Sequence, residues 1–537
     1  MPTTRIPGKR IILCLDGTWV NSDKGYNPPT LDQPNATLQV PSNVTRLYRS
    51  LKKRDQDGTS QVLYYQPGVG STGGIADSIA GGAFGIGVGE NMREAYSFVA
   101  ANYEPGDEII LVGFSRGAFT ARGVAGLISD IGLLNSKGME VFYPIFKDVQ
   151  NLRNSHYKDK FPTVPFPNKP KPPHQGKEYR HRLEEGGFTR LYDPDGYRIK
   201  VRCVAVWDTV GSLARHTSIH KRISGMHFFS QDLANIPFTC KFYDTTLSND
   251  IEYAFQALAL DEDRASFSPA LWERPPNVRT DLRQVWFPGA HSNVGGGLPD
   301  QEVANISMAW MMDQLASIGV SFESNTIQQI FTDNVRFYYN CGQQSKPRPD
   351  SPDRDRLKEW ATPSIYDEHR PVRPWALGEI ISPDTGLYRL AGKTTRTPGM
   401  YHVVTRDTGQ ATPYFLRDTN EKIHRSVRIR LSLEGLGYND LGPYKCRALL
   451  KKGPWSLRRI RYVSRSTREI INSYGELDEV IEENENSSWG WLYDGPKEDT
   501  PPNTLLMEEE LGPYENELLR LNKGRPFYRE LLGGCGR

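Results

Sequence analysis

Gly113-Phe114-Ser115-Arg116-Gly117 is a G-x-S-x-G set in a chain of 537 residues. The run before it, Glu108 to Val112, is short and mostly branched apolar, which suits a fully buried strand; from Ala118 onward the apolar spacing suits a helix. On a sharp strand-to-helix turn, small neighbours on both sides let a serine hydroxyl stand proud of a sheet. Ser115 is therefore the candidate nucleophile. A plainer reading exists, a glycine-rich turn with a helix-capping serine. The strand that runs in and the helix that runs out favour the first.

Two later strand ends carry the groups that such a serine needs. Val201 to Val206 reads as a buried strand, followed at once by Trp207-Asp208-Thr209-Val210-Gly211-Ser212. Asp208 thus sits at the carboxyl end of a core strand, where an acid has no packing reason to be and often a catalytic one. Arg283 to Phe287 reads as another strand and opens into Pro288-Gly289-Ala290-His291-Ser292-Asn293-Val294-Gly295-Gly296-Gly297. Of ten histidines, His291 is the one placed immediately after a core strand. The order Ser, Asp, His is the α/β-hydrolase chain order. Neutral serine is a poor nucleophile, so His291 would take its proton and Asp208 would fix the imidazole tautomer. The oxyanion needs two N–H donors: the backbone of Arg116 and, from the loop after the first strand, Gly17 or Thr18. His424, in Glu421-Lys422-Ile423-His424, is a reserve base.

The elements that must position these residues follow from the same patterns. Arg10 to Leu15 is a first strand ending in Asp16-Gly17-Thr18-Trp19. Haloacid-dehalogenase-type phosphatases also begin with a strand and D-x-D-G-T, but this chain has Cys14 where their nucleophilic aspartate stands. Asn43 to Lys53 predicts a helix, Gln61 to Gln66 a strand, and Asn91 to Tyr103 a helix. Residues 68 to 89 are dense in glycine, yet no Gly-Lys-Ser/Thr follows as a P-loop requires, and Gly85-x-Gly87-x-Gly89 is too weak a signal for a dinucleotide site. Residues 136–198, rich in Pro, Lys and Arg and poor in periodicity, predict an insertion with a lid-like role. Asn249 to Leu260 predicts a helix, and Gln301 to Ile318 an amphipathic one. Beyond a charged connector at 341–372, short elements alternate with loops, and no repeats occur. The expected fold is α/β, a mostly parallel sheet flanked by helices over residues 8–320, followed by a C-terminal extension over 321–537.

Composition narrows the partners. A net charge of +2 gives no reason to invoke nucleic acid. The basic tract Arg447 to Arg468 and the acidic one Glu476 to Glu485 read as solvated faces or as partners of one another. Hydrophobic content of 37% with 38 prolines predicts a proper core with much loop around it. Six cysteines without a C-x-x-C suggest free thiols in a reducing compartment, and the start, MPTTRIPGKR, lacks the apolar stretch of a secretion signal. No apolar run is long enough to span a bilayer. A cytoplasmic protein is expected, with no metal constellation and no cofactor; Asp16 and Asp208 are the one acidic pair that strand ends could bring together.

Four separated motifs agree with one family. Asp16-Gly17-Thr18-Trp19, the ten residues Gly113 to Arg122, Trp207 to Ser212 and Pro288 to Gly297 closely resemble the DUF2235 family, α/β-hydrolases that include Tle1-type phospholipase effectors of bacterial type VI secretion. The likeness runs over roughly residues 8 to 320. It implies a lipid or phospholipid acyl ester as substrate, and it leaves room for peripheral contact with a membrane. Two departures stand out: Gln256 where many members have a histidine, and Asn293 where they have an aspartate. Nothing in the last third marks delivery as an effector, so toxin status does not carry over. An acyltransferase using the same triad and a catalytically idle scaffold are the alternatives, and the sequence carries no signal for oligomeric state.

Overall fold

The computed structural model describes residues 8–17, 26–27, 35–68, 83–152, 157–170, 175–210, 246–344, 373–382, 392–404, 411–433, 435–451, 454–462, 468–471 and 487–522. The architecture is α/β, with mostly parallel strands and flanking helices. The chain divides into two compact units: Met1–Gln256, Ser266–Leu282 and His402–Tyr414 form the first, and Ala257–Ala265, Arg283–Tyr401 and Phe415–Arg537 the second.

In the first unit β1 (Arg10–Leu15) leads to α1 (Asn43–Ser50), β2 (Gln61–Gln66), α2 (Ala83–Asn102), β3 (Glu108–Phe114) and α3 (Arg116–Ile131). Helices α4 (Phe142–Asn151) and α5 (Gln175–Glu185) precede β4 (Val201–Trp207). The strands lie in the order β4-β3-β1-β2, all parallel. Parallel neighbours need crossover helices, and helices cover both faces of such a sheet. That is why β1 is buried at all six positions and β3 at six of seven. The register Leu15↔Gly113 and Phe114↔Trp207 ends β1, β3 and β4 on one edge.

The residues expected to form an insertion, 136–198, supply part of this core. Phe142, Ile145, Phe146 and Val149 of α4 and Tyr179 and Leu183 of α5 are buried in the same cluster as Ile11, Leu13, Ile109 and Leu111. Positions 142, 145, 146 and 149 are one helical stripe, hidden in sequence by the Pro- and Lys-rich text that follows it. Asp148 on the same helix accepts from Tyr179 Oη (2.6 Å) and pairs with Lys169 (2.7 Å), so its polar group is satisfied inside.

The helix expected over Asn249 to Leu260 is a strand, β5 (Ile251–Ala259), and the division between the units falls within it. Its second half, Phe255-Gln256-Ala257-Leu258-Ala259, favours helix by propensity and has no usable period because every residue is buried. Tertiary context overrides so weak a local preference.

The second unit holds β6 (Asp281–Phe287) from Arg283 onward, α6 (His291–Gly295), α7 (Glu302–Ala316), α8 (Thr326–Gln344), β7 (Glu421–His424) and α9 (Arg425–Ser432). Then come β8 (Trp455–Tyr462), β9 (Arg468–Ile471), β10 (Ser487–Tyr493), β11 (Leu505–Glu509) and α10 (Pro513–Leu521). The order is β6-β7-β11-β10-β8-β9, parallel from β6 to β11 and antiparallel beyond.

Helix α7 is not amphipathic: every residue from Glu302 to Leu315 is buried. Its acids explain how. Glu302 accepts from the amides of Ala376 and Gly378 (2.8 Å each), and Asp313 from those of Tyr514 (2.8 Å) and Glu515 (3.1 Å). Polar residues that look solvent-facing in sequence are buried as caps for distant backbone. Burial pushes the Glu302 carboxyl up to about 8 and Asp313 up to about 7.

These units do not follow a division at residue 320. Strand β6, from the earlier part of the chain, finds its parallel neighbour in β7 through Gln284↔Glu421 and Trp286↔Ile423, and Trp286 Nε1 donates to Glu421 Oε1 (3.0 Å). The residues after 320 therefore complete the sheet that carries β6. A chain ended at residue 320 loses that neighbour and leaves buried Trp286 and Trp310 uncovered; the expected result is insoluble protein without a cooperative melt, read by expression solubility and circular dichroism.

Candidate active site

Ser115 closes β3 and caps α3 with φ +56° and ψ −118°, a backbone that a side-chain-bearing residue adopts only under constraint. Two glycines make the turn feasible. A Cβ on Gly113 would lie 2.5 Å from the Gly117 carbonyl oxygen, and one on Gly117 would lie 2.0 Å from that of Leu15. Helix α3 thus starts pressed against β1, at a distance only hydrogen atoms permit. The Ser115 amide donates to the Trp207 carbonyl (3.1 Å), and the Phe119 amide to that of Ser115 (3.1 Å), so the strained residue is held at both backbone groups. Further along, Arg122 braces α3 by donating to the Ala270 carbonyl (2.5 Å) and lying 4.2 Å over the Trp272 ring.

Asp208 follows Trp207 as Ser115 follows Phe114, and those two predecessors are register partners in adjacent parallel strands. The two residues therefore leave the sheet about 5 Å apart at the backbone. Asp208 is fully buried and also has a positive φ, +39°. Beside it, Thr209 Oγ1 donates to Gln256 Oε1 (2.6 Å), and Gln256 Nε2 donates to the Ala270 carbonyl (3.1 Å). Gln256 thus holds this loop with both ends of its amide.

The loop after β1 passes against Ser115: a Cβ on Gly17 would sit 3.3 Å from Ser115 Cβ. Its anchor is Asp16, whose buried carboxylate accepts from the Gly17 amide (2.7 Å), Ser42 Oγ (2.7 Å), Thr45 Oγ1 (2.6 Å) and Tyr65 Oη (2.9 Å). Burial raises the Asp16 pKa, and the four donors act against that rise. The Gly17 amide, an expected oxyanion donor, is thus engaged by Asp16; Thr18 lies outside the described residues. The cradle of Ser42, Thr45 and Tyr65 had no signal of its own, since hydroxyls at such spacings are common.

His291 belongs to the second unit, at the first position of α6, and is almost fully buried. Its amide donates to Glu262 Oε2 (3.2 Å). Two residues before it, the Gly289 amide donates to Asp261 Oδ2 (2.7 Å), and between them that of Ala290 donates to Asn293 Oδ1 (3.1 Å). Asn293 Nδ2 donates on to the Glu379 carbonyl (2.9 Å). Asn293 therefore ties the loop with both ends of its amide. Burial alone would raise the Glu262 carboxyl; the hydrogen bonds and charge of Arg264, with the charges of Arg396 and His291, bring it below its usual range. Asp261 is raised by burial, against the Gly289 amide and Tyr444. The helix expected over Asn249 to Leu260 would end directly before both acids. Their position directly after a buried apolar run was the available signal.

His424, the reserve base, is removed from that role by its surroundings. It is fully buried, stacked on Phe287 (4.4 Å), with Nδ1 against Ser426 Oγ (2.7 Å) and Nε2 against Glu515 Oε1 (2.7 Å). Its side chain caps α9, and burial pushes its pKa down to about 3. Among the described residues no helix is long and apolar enough to cross a membrane.

A strained serine between glycines at the carboxyl edge of parallel strands, with a buried aspartate on the next strand, is an arrangement of the α/β-hydrolase kind. The chain belongs to the family described as "T6SS, Phospholipase effector Tle1-like, catalytic domain", whose model matches residues 9–314. The uncharacterized protein YEL023C of Saccharomyces cerevisiae is 28% identical over 284 residues, 50% of this chain and 34% of that protein. This chain thus spans about a third of that relative's length. Among solved structures, an uncharacterized protein from Pseudomonas aeruginosa superposes with a TM-score of 0.33 at 15% identity, covering 64% of this chain and 52% of its own. The Tle1 effector bound to the VgrG spike of the type 6 secretion system does so with 0.29 at 15% identity, covering 66% and 83%.

Because strain at Ser115 costs stability, Ser115→Gly is expected to raise the unfolding free energy by about 1 kcal/mol, while Gly117→Ala lowers it by at least about 2 kcal/mol; urea midpoints measure both. The buried imidazole gives a pH effect of definite sign. Unfolded His424 takes a proton near its ordinary 6.5 and folded His424 only near 3, so the stability this imidazole contributes falls as pH drops through that window, while Glu515, bonded to it and raised by burial, contributes with the opposite sign. His424→Gln should flatten this acid limb in thermal melts while lowering stability at neutral pH.

Proposed function

We propose that this protein is a serine hydrolase that cleaves a carboxylic ester, a lipid or phospholipid acyl ester, through a Ser115-His291-Asp208 triad. The observation that carries the reading is the Ser115 backbone at φ +56° and ψ −118°, kept there by glycines no larger residue could replace. Strain of this kind is retained where a side chain must be presented in one orientation. The family match supports a phospholipid ester as the substrate class.

In the proposed reaction Ser115 Oγ forms a bond to the ester carbonyl carbon as its proton passes to His291. The carbonyl oxygen takes the negative charge, facing the Arg116 amide and, because Asp16 already holds the Gly17 amide, that of Thr18. Collapse of this intermediate breaks the carbon–oxygen bond to the leaving alcohol, which receives the proton from His291. Water then attacks the acyl-serine with His291 again as base, releasing the carboxylic acid and free Ser115. Asp208, fully buried at the end of β4, stabilises the imidazolium formed in each step. The buried free thiols of Cys14 and Cys446 support a reducing, cytoplasmic setting.

A fluorophosphonate probe tests the nucleophile, and a panel of phospholipid and simple acyl esters tests the substrate. Labelling and turnover by the wild type, both absent in Ser115→Ala and turnover reduced at least about a thousandfold in His291→Ala, are expected. A wild type that neither labels nor turns over any ester contradicts the proposal and leaves the scaffold reading. Product analysis with an alcohol acceptor separates hydrolysis from acyl transfer.

A further inference from the structure

The structure assigns Asp261 and Glu262 as positioning residues that set His291 in place before substrate arrives, an inference that rests on His291 being the base. Three consecutive amides of the loop, those of Gly289, Ala290 and His291, are each taken by a different side chain: Asp261 Oδ2 (2.7 Å), Asn293 Oδ1 (3.1 Å) and Glu262 Oε2 (3.2 Å). Backbone bonds tie the strand end to the same loop, from the Asp261 amide to the Gly289 carbonyl and from the Leu260 amide to the Phe287 carbonyl (2.9 Å each).

The clamps are themselves fixed. Arg264 grips both oxygens of Glu262 with Nε (2.8 Å) and a terminal nitrogen (2.9 Å). Tyr444 Oη donates to Asp261 Oδ2 (2.8 Å), and Tyr438 Oη to the Asp261 carbonyl. Gly289, at φ +102°, leaves only 2.7 Å between an added Cβ and that of Asn293, so no side chain fits at this point of the turn. All these groups lie within one compact unit.

Two acidic residues placed one after the other at a strand end thus do separate work. Asp261 fixes where the turn begins, and Glu262 fixes the backbone of the histidine itself. A proton-transfer base is sensitive to such placement, since displacement by about 1 Å costs roughly a hundredfold in rate.

The test measures steady-state turnover of a p-nitrophenyl acyl ester by the full chain. Glu262→Ala and Asp261→Ala are expected to lower kcat by roughly 10- to 100-fold with KM unchanged within about twofold. Glu262→Gln, which keeps the shape and an acceptor for the His291 amide, should recover most of the loss. A kcat within about twofold of wild type in Glu262→Ala, a loss confined to KM, or equal loss in Gln and Ala variants would overturn the inference. Should the alanine variant fail to fold by circular dichroism, Glu262→Asp, which draws the acceptor back by one methylene, takes its place with the same expectation. Full turnover by His291→Ala would sink the base assignment itself, and the clamp with it, whereas a dead His291→Ala beside an active Glu262→Ala sinks the clamp alone.

Discussion

The approach of Gly117 to the Leu15 carbonyl is the contact on which the geometry around Ser115 depends. Only hydrogen fits there, so α3 begins directly against β1, and the residue before the helix must turn through a backbone that serine tolerates poorly. The same closeness brings the Gly17 loop to Ser115. Elbow, loop and the end of β4 are therefore consequences of one packing distance, fixed in turn by the register of β1, β3 and β4.

Four acidic side chains in the second unit act as acceptors for backbone amides. Asp261, Glu262, Glu302 and Asp313 each take amides from loops or helix starts that have no neighbouring strand to bond. A buried carboxylate is costly unless its lone pairs are used, and here they are. The arrangement explains how an α/β layer holds segments as far apart in sequence as residues 302 and 376, or 313 and 514. It also explains why burial raises Asp261, Glu302 and Asp313 while Glu262, gripped by Arg264, falls.

The strands that carry Ser115, Asp208 and His291 were legible because branched apolar runs of six or seven residues ending in small or chemical residues have few other readings. Strand β5 was not, since a fully buried stretch of Ala, Leu and Gln shows neither a period of two nor one of 3.6. Helix α7 misled for the opposite reason: its acids mimic a solvent face. Helix α4 had a clear stripe at 142, 145, 146 and 149, masked by the composition around it.

By itself the sequence determined the local chemistry: which serine stands in a glycine-bounded turn, which acid and which histidine follow core strands, and which family these motifs define. Those are short-range facts, set by a few adjacent residues and by the hydrophobic run before them. Tertiary structure alone decided what lies beside each of them. The cradle around Asp16 joins residues 16, 42, 45 and 65, and the strand beside β6 comes from residues 421–424. Such pairings depend on crossover connections and register, and neither is encoded in the residues that eventually meet.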